Sequence, residues 1–412
     1  MSVNIEYIKY NNIKIPIVFE KDNKLPTYNL QLVFTNSGYI EDNNKPGLAY
    51  ISANLLNEGT KKINSIKFAN KLENRAIELY SSIGFETFVI ELSSLIDNKN
   101  EALKLLINLL KYPNYNNQTL KKIKTKQIGI LKQKESDFDY IANRELKKVL
   151  FKNSPLENTK LGTVKSIHSI KLKNIRSFIK NNIILENLVI VVGGDISFKK
   201  IQKDISKLLK NINNGKKNKN IKFKTSDIKD TKIMNKQTQQ AYIYFGSPFN
   251  NKNEKNKSHM LKVTSFILGS SGFGSRLMEE IRVKRGLAYS IYGYIVNNKS
   301  SSSFNGYLQT ELKSTNRVKE LVIKIIEKFV NNGVTQKELD SAKKFLIGSE
   351  PLRTETLNQR LNSAFNLFYN DLDINHNKQE LENIENLSLK DLNSYIRSHK
   401  EIINLSFSIV KD

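Results

Sequence analysis

Residues 47–60 read GLAYISANLLNEGT. The stretch predicts one short helix, 48–57, set between two glycines. Tyr50 and Asn54 stand four residues apart, so they share a helix face. Ala53 stands beside them. Two histidines at that spacing, with a glutamate between them, make a zinc helix with its own general base. Zinc takes imidazole, thiolate or carboxylate donors at about 2.0–2.3 Å. Tyrosine and asparagine are poor zinc donors, and alanine cannot accept a proton. The chain has no cysteine and only four histidines, His168, His259, His376 and His399, none of them near this helix.

The stretch resembles the zinc helix of the pitrilysin/insulinase peptidases, whose pattern is G-L-A-H-x-x-E-H-x-L-x-x-G-T. Gly47, Leu48, Ala49, Leu56, Gly59 and Thr60 match it. Tyr50 and Asn54 replace the two histidines, and Ala53 replaces the glutamate. The family also takes a third ligand, a glutamate, from a later helix, which falls near Ile130 here. Residues 102–134 contain no Asp or Glu. The resemblance therefore implies a chain that keeps the frame of the zinc helix, with Tyr50, Ala53 and Asn54 as degenerate motif positions. It holds no metal and no cofactor of its own.

A length of 412 residues predicts two domains of about 200 residues. The absence of cysteine excludes disulfides and suits a reducing compartment. The N-terminal stretch to Glu20 alternates and has no apolar signal-type core. No run approaches 18 apolar residues. The expectation is a cytoplasmic protein without a membrane span. The formal charge of +26 is spread along the chain, with lysine beside asparagine and isoleucine. It is not gathered with aromatics on one face, so nucleic-acid binding is not expected. Attraction to acidic partners or peptides suits it better.

The chain reads as a duplication. Strands are predicted at Ile13–Phe19, Tyr28–Phe34 and Phe85–Leu92, with a closing strand at Asn187–Gly193 before Gly194-Asp195. Helices are predicted at 48–57, 65–77, around Leu103–Leu110, at 118–150 and at 171–182. The second half repeats the order. It has strands at Ala241–Phe245 and Phe304–Glu311, and Asn404–Val410 closes it. Its helices fall at 258–268, 275–285, Val318–Phe329, 335–370 and 389–399. In the internal alignment Gly286 pairs with Ala76. The fold class is α+β, with two homologous domains, each a mostly antiparallel sheet covered by helices. The resemblance implies the metallohydrolase fold of the mitochondrial processing peptidase/LuxS type. The N-terminal domain is placed at 1–211 and the C-terminal domain at 237–412. A solvated Lys/Asn-rich linker, 212–236, joins them.

Residues 268–292 read LGSSGFGSRLMEEIRVKRGLAYSIY. They resemble the family's C-terminal-domain signature, L-G-x(n)-S-R-L-x-x-x-x-R-x-x-x-G-L-A-Y. The resemblance assigns Arg282 and Tyr289 to substrate held at the zinc. There a tyrosine hydroxyl can donate to a developing oxyanion, and an arginine fork can hold carbonyls. Gly286 is expected to end the helix in a left-handed cap. Gly269, Gly272 and Gly274 form either a peptide-contacting loop or a helix connector capped by Ser275. Peptides in the family add as a strand to a sheet edge. The matching segment is Ser81–Phe88, with Ser81, Ser82, Gly84, Phe85 and Glu86 as candidate peptide contacts, together with Gly272 and Gly274.

Some family members are heterodimers in which one chain bears zinc and the other supplies the arginine and tyrosine. The resemblance thus implies a non-zinc subunit that presents Arg282 and Tyr289 to a zinc-bearing paralogue for peptide hydrolysis, inactive alone. Two alternatives remain. One is an inactive scaffold like the core proteins of the respiratory bc complex. The other is a homodimeric peptide-binding protein.

Overall fold

The computed structural model describes residues 3–250 and 255–412. Six strands make the first sheet: β1 Asn4–Tyr10, β2 Ile13–Lys21, β3 Thr27–Thr35, β4 Glu78–Ile83, β5 Thr87–Leu95 and β6 Leu188–Gly194. Their order is β1-β2-β6-β3-β5-β4. Five strands make the second: β7 Thr231–Asn235, β8 Gln240–Pro248, β9 Ile291–Asn297, β10 Ser302–Glu311 and β11 Ser406–Lys411, in the order β7-β11-β8-β10-β9. In β5 every second residue is buried, the mark of a sheet with one face on the core. All seven residues of β6 are buried, as an apolar run in a central strand predicts.

The two sheets share a plan. β2 runs parallel to β6 as β7 runs parallel to β11, and the remaining neighbours are antiparallel in both. β3 matches β8, β5 matches β10, and the edge strand β4 matches β9. The fold is α+β with two such sheets. The internal alignment has a backbone signature. Ala76 and Gly286, which lie just ahead of β4 and β9, both take left-handed φ, +48° and +61°. β7 falls in the stretch read from sequence as linker. Thr231–Asn235 pairs with Phe407–Lys411, so the second domain's sheet begins inside the lysine-rich segment.

The compact units are not two continuous halves. Unit 1 comprises 1–132, 159–220 and 352–374, and unit 2 comprises 133–158, 221–351 and 375–412. Each half of the chain donates one helix to the other unit. The helix Phe138–Leu150 packs on β8 and β11 of unit 2. Asp137 starts it, its carboxylate accepting the Tyr140 N–H at 2.9 Å. Its Asp139 then accepts from Tyr244 Oη at 3.2 Å and Gln309 Nε2 at 2.8 Å. The helix Leu357–Tyr369 packs on β2 and β6 of unit 1. Thr356 and Gln359 close a capping box at its start. Leu361 and Ala364 join Val18, Val33, Val189 and Val191 in a buried cluster. Arg360 Nε lies 3.0 Å from both oxygens of Glu20, and its Nη2 lies 2.5 Å from Asp22. A Lys24 N–H and Arg360 hold the Asp22 carboxyl below its ordinary range, against the opposing effect of burial.

Candidate functional site

The helix Leu48–Leu56 buries Leu48, Ala49, Ile51, Ser52, Ala53, Leu55 and Leu56. Gly47 precedes it at φ +95°, and a side chain there would come within 2.7 Å of Ile167 Cδ1 and 3.0 Å of the Leu161 carbonyl. Glycine at this site offers no cap, so Asp42 supplies one from outside the helix. Its two oxygens accept the N–H groups of Gly47 at 2.7 Å and Ala49 at 2.6 Å. Burial pushes the Asp42 carboxyl up to about 7, although these two N–H donors favour its charged form.

Tyr50 and Asn54 are half-buried, and Ala53 is buried. Asn54 turns its amide back to donate to the Tyr50 carbonyl at 2.8 Å. The Lys160 ammonium sits 6.0 Å from the centre of the Tyr50 ring. The helix Asn117–Gln133, where the resemblance places the third ligand, carries no carboxylate. Its buried Gln127 donates to the Leu161 carbonyl at 2.9 Å. Among the described residues no cluster of three His, Cys, Asp or Glu side chains is placed to hold a metal ion. The donors on this helix do not fit zinc.

β4 is the edge strand of the first sheet. The Gly84 N–H donates to the Thr87 carbonyl at 2.8 Å. Antiparallel alternation from that pair turns the backbone groups of Leu79, Ser81 and Ile83 outward. The outward groups of Ser81 are already paired. Its N–H donates to Asn57 Oδ1 at 2.6 Å, and its carbonyl accepts from Asn57 Nδ2 at 3.1 Å. Asn57, the C-cap of the 48–56 helix, thus mimics one residue of a neighbouring strand. Farther along, the carbonyls of Gly84, Phe85 and Glu86 accept from the N–H groups of Tyr39, Ile40 and Ser37. Ser82 lies between these two engaged stretches. The matching edge of unit 2 has a similar latch, the Ile295 N–H donating to Ser265 Oγ at 3.2 Å.

In unit 2 the chain from 258 to 285 winds through helix Ser258–Ser265, a π-turn at Phe266–Ser270, a loop, the short helix Arg276–Met278 and a second π-turn at Glu279–Val283. Gly269 lets this segment touch β9, since a Cβ there would lie 2.5 Å from the Gly293 nitrogen. Ser275 holds the N-cap position, yet its hydroxyl donates backward to the Gly272 carbonyl at 2.7 Å and does not cap the helix. Gly286 at φ +61° ends the second π-turn, its N–H donating to the Arg282 carbonyl at 2.9 Å.

This turn brings Arg282 and Tyr289 together. The guanidinium carbon of Arg282 lies 4.6 Å from the Tyr289 ring centre and 4.6 Å from that of Phe273. Phe273 is 68% exposed and Tyr289 83% exposed. Tyr289 lies two residues before β9, not within it. Phe273, flanked by Gly272 and Gly274 at φ +68° and +86°, is the member of this cluster that the sequence reading passed over. The other cations of the segment are engaged. Arg276 forks onto Glu338 at 2.9 and 2.6 Å, and both Lys284 and Arg285 pair with Glu280.

Two family models match the chain. One is described as "Insulinase (Peptidase family M16)" over residues 17–164, the other as "Peptidase M16 inactive domain" over residues 169–346. A Helicobacter pylori protein described as a non-peptidase homolog is 43% identical over 98% of this chain and 93% of its own length. A Pseudomonas fluorescens structure described as a peptidase M16 inactive domain superposes with a TM-score of 0.90 at 22% identity, covering 99% of this chain and 98% of that one. The structure of a protease from Helicobacter pylori superposes with a TM-score of 0.86 at 16% identity, covering both chains in full.

Proposed function

Because this chain belongs to the M16 (insulinase) peptidase family, we propose that it is the non-zinc subunit of a heterodimeric M16 peptidase, inactive alone. Its partner is a zinc-bearing paralogue, and its substrate is a peptide. The observation that carries this reading is a contrast. The zinc-helix side chains are replaced by Tyr50, Ala53 and Asn54, while Arg282 and Tyr289 stand together, exposed, on a turn. The Helicobacter pylori relative, described as a non-peptidase homolog, supports the first half of that contrast.

The partner's zinc would supply the activated water. The residues of this chain would bind and orient. The Tyr289 hydroxyl would donate to the oxyanion that forms on the attacked carbonyl, and the Arg282 fork would hold the peptide. Ser81, Ser82, Gly84, Phe85 and Glu86 would contact peptide only where their backbone groups are not already taken, and Asn57 must swing aside for a strand to add at Ser81. Gly272 and Gly274 would contact peptide through the loop that carries Phe273. No helix of the described residues is long and apolar enough to cross a membrane. We assign the subunit to the cytoplasm on the absence of cysteine.

The test mixes the purified chain with its zinc-bearing paralogue and a fluorogenic peptide. Tyr289→Phe should slow hydrolysis about 100-fold with assembly intact. An unchanged rate removes the proposed role. The scaffold reading is favoured by one observation, the strand edge closed by Asn57. It predicts a stable complex whose turnover is indifferent to both Arg282 and Tyr289.

A further inference from the structure

The cations between 276 and 285 divide sharply. Arg276, Lys284 and Arg285 spend their charge on Glu338 and Glu280. Among the described residues Arg282 makes no ion pair and no side-chain hydrogen bond. Its guanidinium carbon lies 4.6 Å from the ring centres of both Phe273 and Tyr289. A guanidinium flanked by aromatic rings still presents the in-plane edge that carries its five N–H donors. That edge matches the two oxygens of a carboxylate, which accept a pair of parallel N–H bonds. Ring contacts restrain the side chain, so less rotamer freedom is lost when a ligand arrives.

The surroundings fit the same ligand. Phe273, Val283 and Tyr289 are 68%, 54% and 83% exposed. Phe273 and Tyr289 offer apolar surface next to the fork for the residue that carries the carboxylate. The left-handed φ of Gly272 and Gly274 sets Phe273 at the tip of its loop, and a Cβ at Gly274 would meet nothing within 4 Å. These glycines serve the backbone path and not a packing constraint.

We propose that Phe273, Arg282 and Tyr289 form a clamp for a carboxylate-bearing peptide. Arg282 is the donor, and Phe273 is a positioning residue that acts through it. This rests on the reading that Arg282 faces substrate, and it names that substrate's chemistry. The carboxylate has two possible sources, a peptide C-terminus or an acidic side chain.

The test uses the full-length chain alone. Fluorescence anisotropy follows three N-terminally labelled octapeptides: one free of Asp and Glu with a free C-terminus, its C-terminal amide, and the amide carrying one internal Glu. The peptide whose carboxylate fits the clamp, the free acid or the Glu-bearing amide, should bind at least about 10-fold more tightly than the plain amide. Arg282→Lys, which keeps the charge but loses the fork, should weaken it by a similar factor. Phe273→Ala should weaken it, and Phe273→Tyr should restore it. Tighter binding of the Glu-bearing amide than of the plain amide assigns the acidic side chain as a source, and tighter binding of the free acid assigns the C-terminus. Equal binding of all three peptides, indifference to Arg282→Lys, or no binding by any peptide overturns the proposal. Failure here is separable from failure of the heterodimer reading. If the reconstituted pair cleaves all three peptides equally and Tyr289→Phe still slows it, only the clamp is wrong.

Discussion

Arg360→Met removes the cation that fastens the exchanged helix 357–369 to the first sheet. Arg360 lies against Glu20, which is 1% exposed, and against Asp22, which is 6% exposed. It also donates to the carbonyls of Thr354 at 3.1 Å and Glu355 at 2.8 Å. Methionine keeps much of the apolar stem and leaves two buried carboxylates side by side. Breaking a buried pair from one side typically costs about 3–5 kcal/mol, because the remaining charge is uncompensated. Urea unfolding should register that loss. Amide exchange resolved by mass spectrometry should place it in 357–369 and β2, where a loss of about 3 kcal/mol speeds exchange roughly a hundredfold. The deficit should depend on pH in one direction. The Asp22 carboxyl is held below its ordinary value of 3.8. Its contribution is therefore present above that value and lost as pH falls through the lower folded one. The gap between wild type and Arg360→Met should be widest near neutrality and should shrink in acid. Adding Glu20→Gln and Asp22→Asn to Arg360→Met should recover most of the loss, since no charge is then stranded. A loss below about 1 kcal/mol, or a deficit that grows on acidification, would refute the assignment of this network to the helix anchor.

Three further outcomes are expected. Burial raises the Asp42 carboxyl from 3.8 to about 7, so its contribution is complete below about pH 4 and lost as pH rises through about 7. Unfolding free energy measured from pH 4 to 8 should therefore fall for the wild type relative to Asp42→Asn, and a constant difference would contradict the shift. Ala76 sits at φ +48°, where a Cβ costs about 1–2 kcal/mol and glycine fits freely. Ala76→Gly should raise stability by up to about 1 kcal/mol in thermal unfolding, whereas destabilisation would show that the Ala76 methyl packs usefully. Asn57→Ala should free the outward groups of Ser81 and speed its amide exchange about tenfold, the effect of roughly 1.4 kcal/mol; an unchanged rate would mean the latch holds nothing.

What the sequence made legible was what periodicity and local chemistry control. The buried run at β6, the alternation of β5 and the helix 48–56 stand where apolar spacing puts them. Gly286 caps its turn because left-handed φ at a helix end favours glycine. The short edge strands were harder to read. β1 has no fully buried residue, and Thr231–Asn235 lies among lysines. Their pairing is decided by the neighbouring strand and not by their own pattern. The exchanged helices were invisible for a related reason, since an amphipathic face does not state which sheet it covers. Arg360 could have hinted at this only to a reader who already had Glu20 and Asp22 beside it. At the site, the spacing of Arg282 and Tyr289 was readable. Phe273 was hidden inside a glycine loop, and Asn57 acts through a side chain that imitates backbone.

The central claim is that this polypeptide has kept an M16 frame and given up the metal. Elemental analysis of the purified chain, alone and mixed with the proposed zinc-bearing paralogue, tests it directly. The account predicts no stoichiometric zinc in the lone chain, with zinc arriving only with the paralogue. One tightly held zinc per lone chain, with peptide hydrolysis abolished by a chelator, would contradict it.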